Sequence, residues 1–132
     1  MIVDTSAVLA ILFNEPDAAF FAAAIEGAPM CMISAGSVAD VYIILESRRI
    51  PGLSNDFERL MVAGKFMVEP VTADQALAIG LAYRQFGKGI HPARLNYGDC
   101  FSYTLAKLKN QELLFKGNDF SQTDIPGVSS GA

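Results

Sequence analysis

Four aspartates stand where an acid is either costly or well placed for chemistry. Asp4 ends the apolar run Met1-Ile2-Val3 and is followed by Thr5-Ser6. Asp40 lies inside Ser37-Val38-Ala39-Asp40-Val41-Tyr42-Ile43-Ile44-Leu45, where a buried carboxylate needs a cation or hydrogen bonds to compensate it. Its helical neighbours three and four residues away are Gly36, Ser37, Ile43 and Ile44, so no local ion pair accounts for it. Asp99 follows Asn96-Tyr97-Gly98, and Asp119 closes the polar turn Lys116-Gly117-Asn118 after an apolar run. A carboxylate-only set of this kind suits hard divalent cations, Mg2+ or Mn2+, bound through oxygen.

Each acid also has a plainer reading. Asp4 could cap a helix, a role worth about 1 kcal/mol, although Thr5 or Ser6 could take it over and leave Asp4 free. Asp40 could lie on the solvated edge of an amphipathic helix. An acid in a first helical turn, like Asp99, is favoured by the helix dipole, and Asp119 suits a turn. Arg94 and Asn96, just before Asp99, are suited to phosphate, and so is Lys116, just before Asp119. Asp124 beside Thr123 reads as turn or capping chemistry. Glu46 points roughly 120° away from Asp40 around the helix and is expected to pair with Arg48, Arg49 or a more distant base.

Other chemistries lose support on residue counts. His91 is the only histidine, which counts against a Ser/His/Asp triad or a zinc-histidine site, and its Gly-rich loop predicts a solvated ring. There is no Walker loop and no GxGxxG. A haloacid-dehalogenase-type phosphatase requires a second aspartate two residues after the first, and Ser6 stands there. Cys31 and Cys100 sit in apolar contexts without CxxC spacing and read as buried free thiols.

The elements that must carry these residues alternate between strand and helix. Met1 to Asp4, Met30 to Ile33, Phe66 to Val71 and Glu112 to Lys116 read as strands. Helices are expected over Ala7 to Phe13, Asp17 to Ile25, Ser34 to Glu46, Ser54 to Val62 (capped by Ser54), from the Thr72/Gln75 capping box to Phe86, and Asp99 to Leu108. Gly87 to Leu95 is the longest loop. This order predicts one α/β domain, a mostly parallel sheet covered on both faces, with ligands gathering beyond the carboxyl ends of the strands. Asp4 and Asp119 fall at such ends. Residues 127–132 are expected to form a disordered tail.

With 132 residues, 52% hydrophobic and 18% charged, the chain supports one cored domain and excludes a disordered one. A net charge of −4 argues against a simple basic nucleic-acid binder but not against an acid-rich metal site. No apolar run approaches the roughly 20 residues of a membrane span, and no basic leader precedes the first apolar stretch, so a soluble cytoplasmic protein with no membrane partner is expected. Phe20, Phe21 and Ile25, with Val41, Tyr42 and Leu45, are read as core first, and otherwise as a groove or a dimer face.

In sequence order, Asp4-Thr5-Ser6, Ile33-Ser-Ala-Gly-Ser-Val-Ala-Asp40, Leu95-Asn-Tyr-Gly-Asp-Cys-Phe-Ser-Tyr103 and Leu114-Phe-Lys-Gly-Asn-Asp-Phe120 resemble the PIN-domain nucleases, most closely the VapC toxins of bacterial toxin–antitoxin pairs. The likeness runs from Met1 to about Ile125, a PIN domain over 1–126. It implies a three-layer α/β/α sandwich, Mg2+- or Mn2+-dependent cleavage of tRNA, rRNA or mRNA, a homodimer, and inhibition by a VapB antitoxin. It maps the family's acids onto Asp4, Asp40, Asp99 and Asp119, with Asp4, Asp99 and Asp119 as metal ligands, and its hydroxyl onto Thr5 or Ser6. The family's second acid is normally Glu. Asp40 is shorter by one CH2, which retracts its carboxylate by roughly 1.3 to 1.5 Å. The same resemblance leaves a second reading, a PIN domain that binds antitoxin or RNA with weakened or lost cleavage.

Overall fold

The computed structural model describes residues 1–130. Strand β1 (Ile2–Val3) is followed by helices α1 (Thr5–Leu12) and α2 (Ala18–Gly27), then β2 (Cys31–Ser34), α3 (Ala35–Arg48), α4 (Leu53–Ala63) and β3 (Phe66–Glu69). Helices α5 (Ala73–Phe86) and α6 (Tyr97–Lys109), β4 (Leu113–Leu114), a 3-10 turn at Phe120–Gln122 and β5 (Gly127–Val128) complete it. The strands form one sheet in the order β3-β2-β1-β4-β5, and every pairing is parallel.

Alternation along the strands divides the core into two layers. Val3, Cys31, Ile33 and Leu114 pack with α1, α2, α3 and α4 on one face. Ile2, Met32, Leu113 and Phe115 pack with Phe86 of α5 and Leu105 of α6 on the other. A period of two sends successive side chains to opposite faces, so short strands can serve both layers. Phe21, Ile25, Val41 and Leu45 lie inside the first layer, which bears out their reading as core, while Phe20 remains 40% exposed.

Several expectations need correction. Gly127 and Val128 are not a disordered tail. They pair with Leu113 and Leu114 as an edge strand, and a Cβ on Gly127 would come within 2.4 Å of the Phe115 ring. Only glycine allows that approach. Ser130 donates to Asp17 at 3.0 Å, and residues 131–132 lie outside the described residues. Ser54 does not cap α4; that place falls to Gly52, at φ +88°, and the Ser54 hydroxyl donates instead to Glu46. Glu46 therefore answers a hydroxyl rather than an arginine. At α5 only half of the expected capping box forms: Thr72 accepts from the Gln75 amide.

Candidate active site

Four segments that are far apart in sequence meet at the carboxyl ends of β1 and β4. They line a cleft of about 270 Å³ that includes Asp4, Thr5, Ser6, Asp40, Asn96, Gly98, Asp99, Lys116 and Asp119. Asp4 leaves β1 in extended conformation and caps α1, accepting from the Ser6 amide at 3.0 Å and the Ser6 hydroxyl at 2.7 Å. The alternative of a cap supplied by Thr5 or Ser6 is thus corrected: Asp4 is itself the cap, and its other oxygen accepts from Ser102 at 2.5 Å. It is 3% exposed. Burial pushes its carboxyl above the ordinary range, against the opposing pull of the Ser102 and Ser6 hydrogen bonds.

Asp99 sits in the first turn of α6. Asn96 and Asp99 form a reciprocal capping box, each side chain accepting from the other's backbone amide at 2.8 and 3.0 Å. Burial, then the negative charges of Asp4 and Asp119, push Asp99 up to about 7, while the Asn96 amide pulls it down. Asp119, exposed beside the 3-10 turn, completes this trio. Asp40 enters from α3 on the same cleft but stands apart electrically: burial raises its carboxyl, and no neighbouring charge contributes. Its Oδ2 lies so close to the start of α6 that a Cβ on Gly98 would be 2.8 Å away. Gly98 therefore makes room for the second acid.

The chemistry of the donor set fits a hard cation. Asp4 and Asp119 both bear on Asp99 with no cation paired to any of the three, and the buried Thr5 hydroxyl has no partner in hydrogen-bond geometry. As placed, no three acidic, histidine or cysteine side chains among the described residues form a closed metal cage. Both Asp4 oxygens and one Asp99 oxygen are already held by protein donors.

A PIN-domain family model matches residues 1–126. The chain belongs to the PIN-domain family. Among its relatives, Ribonuclease VapC28 of Mycobacterium tuberculosis is 48% identical over 126 residues, covering 95% of each chain. Ribonuclease VapC of Mycolicibacterium smegmatis is 44% identical over 128 residues, 97% of this chain and 99% of that one. The fold is shared with M. tuberculosis VapC20, a sarcin-ricin loop cleaving toxin, at a TM-score of 0.77 and 18% identity over 94% of this chain and 95% of that one. It is also shared with a toxin-antitoxin complex from Klebsiella pneumoniae, at a TM-score of 0.68 and 19% identity over 96% and 94%.

Two of the phosphate candidates occupy other places in this PIN domain than their sequence positions suggested. The Lys116 ammonium lines the cleft but is held by Glu15 at 2.7 Å and Asp17 at 3.0 Å, so it is not a free phosphate ligand. Its backbone amide donates to Ser6, tying β4 to the turn that carries Asp4. Arg94 is exposed on a neighbouring depression with Lys88 and His91, outside the acid cleft. His91 is half-buried rather than solvated: its Nδ1 accepts from the Ala93 amide and its ring packs edge-on against Phe86. Asp124 accepts from Tyr103 and pairs with Lys107, away from the acids.

Sequence reasoning missed Ser102 and Ser37, both fully buried. Ser102 bonds Asp4 and lies 3.3 Å from the Ser37 hydroxyl. The signal was present: Ser102 is three residues after Asp99 on α6, hence on the same helical face.

Proposed function

We propose that this PIN domain is a divalent-metal-dependent endoribonuclease that hydrolyses RNA phosphodiester bonds and acts as the toxin of a toxin–antitoxin pair. The observation that carries the reading is the meeting of Asp4, Asp99 and Asp119 in one cleft, where burial and the two neighbouring acids push Asp99 up to about 7 and no cationic side chain is paired with any of the three. Relatives at 44 to 48% identity over nearly the full length carry the name ribonuclease. Asp4, Asp99 and Asp119 would hold Mg2+ or Mn2+. When bound, the ion neutralises charge on the scissile phosphate and makes water a better nucleophile.

The chain's own groups supply the rest. Asp40 orients the attacking water and takes up its proton. Thr5, whose hydroxyl is unclaimed, and Asn96 at the mouth face the phosphate, and Ser6 and Ser102 fix the direction of Asp4. A VapB-type antitoxin is the partner this reading calls for, and a homodimer the assembly. Incubation of labelled tRNA and rRNA with the purified protein tests it. Cleavage is expected with MgCl2 or MnCl2 and lost in EDTA; retained affinity without any product across both metals would favour the pure binding module instead.

A further inference from the structure

The chain is acidic overall, yet residues 75–98 contain none of its fourteen Asp and Glu and three of its ten Lys and Arg. Those three, Arg84, Lys88 and Arg94, are exposed. Of the seven cations elsewhere, four are spent on carboxylates, Arg59 on Asp56, Lys107 on Asp124, Lys109 on Glu69 and Lys116 on Glu15 and Asp17, and Arg48 packs over the Phe13 ring. Lys88 and Arg94 take part in no ion pair among the described residues.

Their placement relative to the acids is continuous. The acid cleft shares Asn96 with an apolar groove between α5 and α6 that is also lined by Ile79, Tyr83 and Tyr97. That groove in turn shares Lys88 with the depression that carries Arg94. At the junction stands Tyr97, 78% exposed, its ring braced edge-on by Phe101 at 5.0 Å. The loop beyond is pinned rather than slack. The Lys88 amide donates to the Leu95 carbonyl and the Leu95 amide to the Phe86 carbonyl, the Tyr83 hydroxyl donates to the Lys88 carbonyl, and Arg94 is held at φ +56°. Exposed aromatic area beside unpaired cations is the combination that holds a single strand: bases stack on the ring while phosphates meet the charges.

We propose that an unpaired stretch of RNA runs out of the acid cleft over Asn96, stacks a base on Tyr97 and lays its following phosphates on Lys88 and Arg94. This rests on the ribonuclease reading above and names the strand path for it. The charge of the route selects the occupant, since an apolar groove bordered by two unpaired cations and leading to a phosphate-cutting site favours a polyanion over a second copy of an acidic chain.

The test uses the full chain with Asp4→Asn, so that RNA is bound without being consumed. Binding of a fluorescein-labelled, mixed-sequence single-stranded RNA is followed by anisotropy in MgCl2 across a salt series. Adding Tyr97→Ala is expected to weaken binding about tenfold. Adding Lys88→Gln and Arg94→Gln together is expected to flatten the dependence of log Kd on log salt by about 1.4, two phosphates at roughly 0.7 each. Lys65→Gln, in the turn between α4 and β3 and outside this stretch, should change neither. Unchanged affinity and slope in both variants, with the Asp4-intact protein still cutting RNA, overturns the path. So does a change of oligomeric state by sedimentation with RNA affinity intact, which would assign the face to a second copy. If the Asp4-intact protein cuts no RNA while the variants still lose affinity, the nuclease reading fails and the path stands.

Discussion

Two clusters of acids lie side by side in this molecule, and Lys116 borders both. Glu15 and Asp17 share its ammonium, and Asp17 takes a further hydrogen bond from Ser130. Across the same lysine, Asp4, Asp99 and Asp119 have only hydroxyls, amides and each other. The charges respond in opposite directions: the Lys116 and Ser130 bonds hold Asp17 below the ordinary carboxylate range, while burial and repulsion push Asp99 up to about 7. A compensated cluster holds chain segments together. An uncompensated one stores a demand for positive charge, and that demand is what chemistry can use.

The sharpest way to break the contrast is to remove an acid from the second cluster. Asp4→Asn is expected to lower RNA cleavage at least a thousandfold, with circular dichroism unchanged, because several kcal/mol of transition-state stabilisation go with the ion it helps to hold. Cleavage at the original rate by that variant would sink the assignment. Next in size, Asp40→Glu restores the missing CH2 and is expected to raise kcat about tenfold, a part of the 10²–10⁴ that a well-placed base contributes. An unchanged kcat would mean that the shorter arm already reaches.

Proton linkage should separate the clusters without mutation. Asp99 binds its proton more tightly folded than unfolded, so the metal-free protein is expected to gain stability as pH falls from about 8 towards 5 and to lose it as pH rises through about 7. MgCl2 or MnCl2 should flatten that slope by supplying the missing charge. A thermal melt series with and without metal reads both. The smallest effect belongs to the compensated cluster. Lys116→Met is expected to lower the Tm by about two degrees near pH 7, since exposed ion pairs contribute little. The difference should shrink below pH 4, where Asp17 in the intact protein is losing its charge.

How much of this could be read from the sequence depended on sequence separation. The strand-end positions of Asp4 and Asp119 and a mostly parallel sheet followed from alternating elements, and the sheet proved parallel throughout. Phe21, Ile25, Val41 and Leu45 followed from the apolar faces of their helices, while Phe20 of the same set did not. Lys116 was misread because its partners lie 101 and 99 residues away, beyond any local pattern. Arg94's place outside the acid cleft could not be read locally, because nearness to Asp99 along the chain is not nearness in space: the pinned loop turns it onto the neighbouring depression. Strand β5 left no signal at all. Two residues carry no alternation, and what admits them is the gap where Gly127 lacks a Cβ against Phe115. Asp40's separateness from the other acids is also a tertiary fact, set by how α3 meets the start of α6 at Gly98.

The first strand occupies the middle of the sheet, with β4 as one of its two neighbours. During synthesis, therefore, the earliest acid to leave the ribosome must wait for the last. The bond from Ser102 to Asp4 closes a span of 98 residues, and Asp119 emerges later still. Nascent chains of every shorter length lack an assembled centre. For a protein that attacks RNA, this order of arrival keeps the translating complex beyond reach of its own product until the segment that carries Asp99 and Asp119 has been made.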